Sequence, residues 1–459
     1  MNKLLNNKRY CVVGTGLTGL ATVRYLLSKQ YHVELFDTRT ELKNIEAIKG
    51  EFPRIDITLG NLEQINFSIN DVLIVSPGIA LTELFIEQAK ANGAIISSDV
   101  EIFILENNKP VVAITGSNGK STAVSLLTYV LNSIDCQSIA AGNIGLPVLE
   151  AITQDVDIFI LELSSFQLER LQVCPSAVAS ILNVSEDHLD RYASMTVYAE
   201  SKQIIYTQAN AVVMNAQDNL THTNKPVPQL SFGTTGAEFS YEESNGDVKL
   251  YSASEFLFNA SEMRLKGSHN IENVLAVLAI VKHLIQQHIL TVSLDSCLPA
   301  IKTFTGLPHR CQFIHSINDV DYINDSKATN VGASLAALNG LQSSYKTITL
   351  LLGGVDKTSD FSSLAAYVSE NAVNTIIYGQ DASIIAKAFD AASSEYLLAD
   401  SMLAALTLAE STTVKNSAVL LAPACASFDE FDNFNARGNA FITAVKLLAS
   451  NQHKELIND

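Results

Sequence analysis

Short runs of apolar residues alternate with helical spacing along most of the chain. Tyr10–Val13, Val33–Phe36, Val72–Val75, Val111–Ile114, Ile158–Leu161, Ala177–Leu182 and Ala211–Met214 are continuous apolar or near-apolar segments of strand length. Ile348–Leu352, Thr375–Tyr378 and Ala418–Ala422 repeat the pattern later. Runs without polar alternation suit strands covered on both faces, as in parallel sheets. Between them, Leu20–Ser28, Ser121–Leu131 and Asn273–Leu284 space their apolar residues as helices do. The pattern predicts an α/β protein, doubly wound more than once. Residues 230–265 are polar and short-stranded and predict a β insertion.

The 459 residues suggest about three domains. Breaks are expected near Ser98, ahead of Asn107-Asn108-Lys109-Pro110, and at Thr303–Pro308, giving segments 1–98, 99–305 and 306–459. The net charge of −18 argues against nucleic acid and anionic membrane surfaces as partners. No stretch reaches the roughly 18 uninterrupted apolar residues of a membrane span, and the N-terminal residues show no apolar signal region. The cysteines (Cys11, Cys136, Cys174, Cys297, Cys311, Cys425) are scattered. That predicts neither a disulfide framework nor a structural zinc site, and a cytoplasmic setting.

Two glycine loops carry candidate chemistry. Gly14-Thr15-Gly16-Leu17-Thr18-Gly19 follows a strand and opens a helix, with Asp37 closing the next strand. This fits a dinucleotide, another nucleotide, or close helix–strand packing. Arg39 weakens the dinucleotide reading, and Ser76-Pro77-Gly78 follows a further strand. Gly116-Ser117-Asn118-Gly119-Lys120-Ser121-Thr122 also joins a strand to a helix. Its glycines are closer together than in the common P-loop, yet the Gly-Lys-Ser-Thr ending predicts ATP phosphates on backbone N–H groups, with Lys120 on the β/γ oxygens. Glu162 and His188 each fall at a strand end, and carboxylate with imidazole suits a divalent ion on those phosphates.

With these stretches stand Glu162-Leu163-Ser164-Ser165, Asn183–Tyr192, His269–Asn273 and His309-Arg310, and further on Asp325–Asn330, Gly353–Lys357 and Pro423–Asp429. Together they resemble the Mur ligase family, and the resemblance spans essentially the whole chain. It implies a Rossmann-like N-terminal domain, a central P-loop-type ATPase domain with a small β insertion, and a Rossmann-like C-terminal domain. The first would bind a UDP-sugar, UDP-N-acetylmuramoyl-L-alanine, through Leu17, Thr18, Thr38, Arg39, Ser76, Pro77 and Gly78, with Asn143 at its far end. The second would bind ATP through Gly116, Ser117, Asn118, Gly119, Lys120, Ser121 and Thr122, with Asn270 and Asn273 near adenine. Arg310 and Asp325 would reach ATP from the third domain, which would take D-glutamate on Thr329, Lys357, Ser427 and Phe434.

The implied reaction joins D-glutamate to the alanyl carboxylate through an acyl phosphate and a tetrahedral intermediate, as a step of peptidoglycan precursor synthesis. Lys120, His188 and Lys202 would be catalytic. The resemblance implies two Mg²⁺ ions, one served by Ser121 and Glu162 and a second by His188, with Lys202 joining as a carbamate. Lys202 is the only Lys or Arg between Arg191 and Lys225; by itself it reads as a solvated helix residue. A monomer is expected. The alternatives are another Mur-type or a folylpolyglutamate-type ligase, and an NAD-dependent oxidoreductase, which would leave the second glycine loop and Glu162 idle.

Overall fold

The computed structural model describes residues 8–42, 44–185, 191–244, 247–265, 267–356 and 360–458. His188 and Lys357, both assigned roles above, lie outside them. Every strand expected from an apolar run forms, as do the three helices read from spacing. Three sheets organise the chain, and parallel pairing dominates each. Residues fall into two compact units. One holds the first sheet and most of the second; the other holds the third.

The first sheet runs Ile57–Leu59, His32–Asp37, Arg9–Val13, Asp71–Val75, Ile95–Ser97. All its pairs are parallel. The chain leaves Arg9–Val13 to one side and returns on the other, so the crevice lies at the carboxyl ends of Arg9–Val13 and Asp71–Val75. Gly14 follows one of these strands and Ser76 the other.

In the second sheet, Val111–Thr115 lies between Ile158–Glu162 and Val178–Ile181. Ile114 pairs with Glu162, Thr115 with Ile181, and Gly142 with Glu162. Gly142 ends the outer strand Ser138–Gly142, and this register brings the loops after the four strands to one level. Gln229–Gly233, Phe239–Ser244, Asp247–Ser252 and Glu255–Asn259 extend the sheet, as the β insertion read from 230–265. Gly142 is fixed by its backbone: φ is +103°, and a Cβ there would sit 2.4 Å from the Glu162 carbonyl oxygen.

The third sheet runs Gln312–Ile317, Val320–Asn324, Ser417–Ala424, Ile348–Gly353, Val373–Tyr378, Leu397–Ala399. Only its first pair is antiparallel. Asn324 pairs with Leu421 and Gly353 with Ala424. The turns beginning at Asp325, Gly354 and Cys425 therefore share one sheet end. Among the described residues no helix is long and apolar enough to cross a membrane.

The Gly142 geometry yields a test. Gly142→Ala combines a strained φ with a backbone clash, and is expected to cost about 2 kcal/mol or more of stability. Urea unfolding followed by circular dichroism checks this; an unchanged midpoint would contradict the close approach of these two strands.

Candidate active site

The phosphate-loop residues form a cradle at the centre of the second sheet. Gly119, with φ +79°, closes the turn before the helix Lys120–Ser133. A Cβ there would fall 2.3 Å from Asn273 Oδ1, so the glycine admits the Asn273 side chain against the loop. Ser117 N donates to the Asn183 carbonyl at 2.9 Å, and Asn118 N to Asn183 Oδ1 at 2.8 Å. Ser117 Oγ donates to the Ser185 carbonyl and accepts from Ser185 N, both at 3.0 Å. The loop is thus laced to the segment that follows Val178–Ile181. Lys120 Nζ folds back on the carbonyls of Gly116 and Ser117, each at 2.8 Å. Ser121 and Thr122 occupy the first helical turn, where N–H groups favour anions.

Glu162 ends its strand 1% exposed. Oε1 accepts from Asn143 Nδ2 at 2.7 Å, whereas Oε2 is buried and has no hydrogen-bond partner. A carboxylate oxygen left without a donor in the interior is costly, and a cation is the group that would satisfy it. Thr115 Oγ1, on the neighbouring strand, is likewise buried without a partner. The donor chemistry therefore fits a hard divalent ion. Among the described residues, no group of three or more His, Cys, Asp or Glu gathers at metal-binding distance.

Lys202 is not a solvated residue: it is 1% exposed. Ser194 caps its helix, Met195–Gln203, by accepting from Val197 N. Tyr198 and Lys202, four residues apart, then share the buried face. Lys202 Nζ lies 4.6 Å from the Tyr198 ring centroid and donates to the Gly116 carbonyl at 3.0 Å. Helical spacing alone gave no sign of this, because no apolar stripe marks a helix whose mean pattern is polar. Asn183 and Ser185 fall in the Asn183–Tyr192 stretch, which motif reading quoted without assigning them this bracing role; Tyr198, whose hydroxyl lies 3.2 Å from Ser117 Oγ, it did not single out.

The first glycine loop is built by close approach. A Cβ on Gly19 would lie 1.8 Å from the Gly14 carbonyl oxygen, and one on Gly14 2.4 Å from Ser76 Oγ. Asp37 is 3% exposed. Oδ2 accepts from Thr15 N at 2.9 Å, Thr15 Oγ1 at 2.7 Å and Arg39 Nη2 at 2.8 Å. Oδ1 accepts from Arg39 N at 3.0 Å and Nε at 2.8 Å. Burial alone would raise the Asp37 pKa, but the Arg39 and Thr15 hydrogen bonds outweigh it and hold the carboxyl well below the usual range. Both oxygens are engaged by the protein itself, so Asp37 is ill suited to receive a ribose diol. Its structural task is to fix Arg39, whose side chain stays 61% exposed. Leu17 projects 82% exposed at the head of the helix, and Thr18 follows it; Thr38 sits exposed between Asp37 and Arg39. Arg170, which sequence reading missed, donates from Nη2 to the carbonyls of Pro77 (3.2 Å) and Ile79 (2.5 Å), and so braces the Ser76-Pro77-Gly78 turn.

In the other unit, Asp325 accepts from Cys311 Sγ at 3.3 Å. Burial pushes its pKa up to about 6, against the opposing pull of Cys311 and Arg310. His309 and Cys311 flank Arg310 with left-handed backbones, φ +62° and +39°. Phe434 opens the helix Phe434–Asn458, and Lys327 Nζ sits 4.2 Å from its ring centroid. Ser427 is 2% exposed, and its Oγ has no hydrogen-bond partner. Thr329 lies half-buried in the turn after Val320–Asn324, at the sheet end it shares with Ser427. Asn270 is 2% exposed in the first turn of Ser268–Gln286, where its N–H donates to the Gly267 carbonyl at 3.0 Å.

Comparison with known proteins bears on these arrangements together. The chain matches the MurD-like N-terminal domain of Mur ligases over residues 8–98, the Mur ligase middle domain over 114–281, and the Mur ligase glutamate ligase domain over 309–425. It is 37% identical over 455 residues to the UDP-N-acetylmuramoylalanine--D-glutamate ligase of Pseudomonas syringae pv. tomato, covering 98% of this chain and 100% of the relative. It is 39% identical over 440 residues to the enzyme of the same name from Alcanivorax borkumensis, covering 95% and 98%. Among solved structures, the UDP-N-acetylmuramate-alanine ligase MurC of Thermotoga maritima superposes with a TM-score of 0.57 at 16% identity, over 96% of this chain and 99% of that one, and so shares the fold. With full-length relatives at this identity, the chain belongs to the Mur ligase family.

Proposed function

We propose that this protein is an ATP-dependent ligase that joins D-glutamate to UDP-N-acetylmuramoyl-L-alanine. The observation that carries the reading is the full-length identity to relatives bearing that activity in their names. The Gly116–Thr122 cradle beside an unsatisfied Glu162 supports the ATP chemistry. The engagement of both Asp37 oxygens favours a uridine diphosphate over a dinucleotide at the first loop.

A carboxylate is a poor electrophile, so the reaction must first give it a leaving group. An oxygen of the alanyl carboxylate attacks the γ-phosphorus of ATP, the bond to ADP breaks, and an acyl phosphate forms. The D-glutamate amine then attacks the acyl carbon and loses a proton. The tetrahedral species collapses, inorganic phosphate leaves with the former carboxylate oxygen, and an amide remains. Lys120, swung from its own loop carbonyls, meets the transferring phosphoryl, and the loop N–H groups orient the phosphates. Ser121, Glu162, His188 and a carbamylated Lys202 would hold Mg²⁺, which when bound neutralises phosphate charge. Asn143, held on Glu162, faces the muramoyl-alanine end; Leu17, Thr18, Thr38 and Arg39 with Ser76, Pro77 and Gly78 receive the nucleotide-sugar. Asn270 and Asn273 serve adenine, and Arg310 and Asp325 serve the phosphates and ribose. Thr329, Lys357 and Ser427 supply the cation and hydroxyls that a dicarboxylate requires, with Phe434 against its carbon chain.

Two measurements test this. Phosphate release from ATP, in the presence of Mg²⁺ and UDP-N-acetylmuramoyl-L-alanine, is expected with D-glutamate and not with L-glutamate, L-lysine or meso-diaminopimelate. Release with one of the others alone would reassign the substrate. Lys120→Ala is expected to lower kcat by about 10³-fold, the usual effect of removing a group that stabilises developing charge. Near-normal turnover in that variant would remove Lys120 from the phosphoryl-transfer step.

A further inference from the structure

Arg437 is the largest fully buried side chain among the described residues, at 1% exposure. It lies one turn into Phe434–Asn458, and no carboxylate of the described residues pairs with it. Nε donates to Ser326 Oγ, and Nη2 to the carbonyls of Ser326 and Cys425, all at 3.0 Å. Nη1 is buried with no hydrogen-bond partner. A guanidinium buried against two carbonyls and a hydroxyl, with no carboxylate bonded to it, costs several kcal/mol by general estimates. An apolar residue would pack a helix more cheaply, so the charge and its fork need a reason.

The geometry supplies one. Ser326 belongs to the turn that carries Asp325 and Thr329; Cys425 begins the turn, after Ser417–Ala424, that leads to Ser427. The two turns share a sheet end, but strand pairing stops before them. Arg437 ties them together past that point, on the same helical turn that presents Phe434. Ser326 Oγ in turn donates to the Phe434 carbonyl at 2.8 Å. The fastening continues inward. Ser326 N donates to Asn324 Oδ1 at 3.1 Å, and Asn324 Nδ2 donates to His309 Nδ1 at 3.0 Å and to the Gly438 carbonyl at 3.2 Å. Asn324 and Ser326 are fully buried and His309 nearly so. There is no slack: a Cβ on Gly438 would fall 2.1 Å from His309 Nδ1.

We propose that Arg437 is a positioning residue for amino-acid capture, its planar fork fixing the Thr329 turn against the Ser427 turn. This rests on the D-glutamate reading above. Arg437 does not itself touch the amino acid; it sets the spacing of the residues that do. A lysine in its place keeps the charge and loses the fork.

Steady-state kinetics on Arg437→Lys and Ser326→Ala test the proposal, using D-glutamate or whichever amino acid the wild-type protein accepts. A wild-type requirement for another amino acid would overturn the substrate reading while leaving the clasp testable. For Arg437→Lys, the KM for the amino acid is expected to rise about tenfold, with kcat and the KM for the UDP-sugar changing less than about threefold. Ser326→Ala removes one of the three bonds to the guanidinium and is expected to raise the same KM by a smaller factor. Should Arg437→Lys fold poorly, Ser326→Ala carries the test alone. An amino-acid KM unchanged in every folded variant would overturn the proposal. So would a fall in kcat with all KM values unchanged, the mark of a smaller active fraction.

Discussion

The candidate ATP site depends on one carbonyl. The Gly116 oxygen accepts from Lys120 Nζ at 2.8 Å and from Lys202 Nζ at 3.0 Å. Two ammonium groups sharing one acceptor sit within about 6 Å of each other and repel, and the repulsion is larger away from bulk water. One of them is buried with its whole side chain, so the cost is not relieved by hydration. The rest of the centre accounts for it. The loop is laced to Asn183 and Ser185, its N–H groups open a helix, and a half-satisfied Glu162 lies on the adjacent strand. Charges of both signs are held in place before any ligand arrives. Preorganisation of this kind is what phosphoryl transfer needs from a protein.

The first glycine loop shows how one local feature separates two chemistries. The glycine spacing is that of a dinucleotide fold, and the sheet has the matching crevice. Asp37 leaves little for a ribose diol, because Thr15 and Arg39 engage its acceptors. The same acid that would hold a ribose diol here holds an arginine. A basic, largely exposed guanidinium is then fixed beside the helix N-terminus, which suits a diphosphate. The bulk acidity of the chain, −18, says nothing against this, since the basic groups concerned are individually placed.

Much of the architecture was legible in the sequence because both-face burial leaves long apolar runs. Val111–Thr115 and Ser417–Ala424 announce themselves in this way. Short edge strands such as Ile57–Leu59, Ile95–Ser97 and Leu397–Ala399 did not, since three residues carry no periodicity. The candidate phosphate loop stood out in the sequence because such a loop requires glycine and lysine at fixed offsets. Lys202 was legible only through family resemblance: its burial follows from how its helix docks, which spacing does not encode. Arg437 and Arg170 escaped for the same reason. An arginine in a helix, like Arg437, or in the turn after one, like Arg170, reads as solvated, and only the fold reveals that its fork reaches backbone carbonyls.

The proposed reaction activates the alanyl carboxylate by phosphorylation. Turnover with UDP-N-acetylmuramoyl-L-alanine carrying ¹⁸O in both carboxylate oxygens tests it most directly. The released inorganic phosphate is expected to carry one ¹⁸O, the oxygen that formed the acyl phosphate. Unlabelled phosphate, with amide product formed at the normal rate, would contradict it.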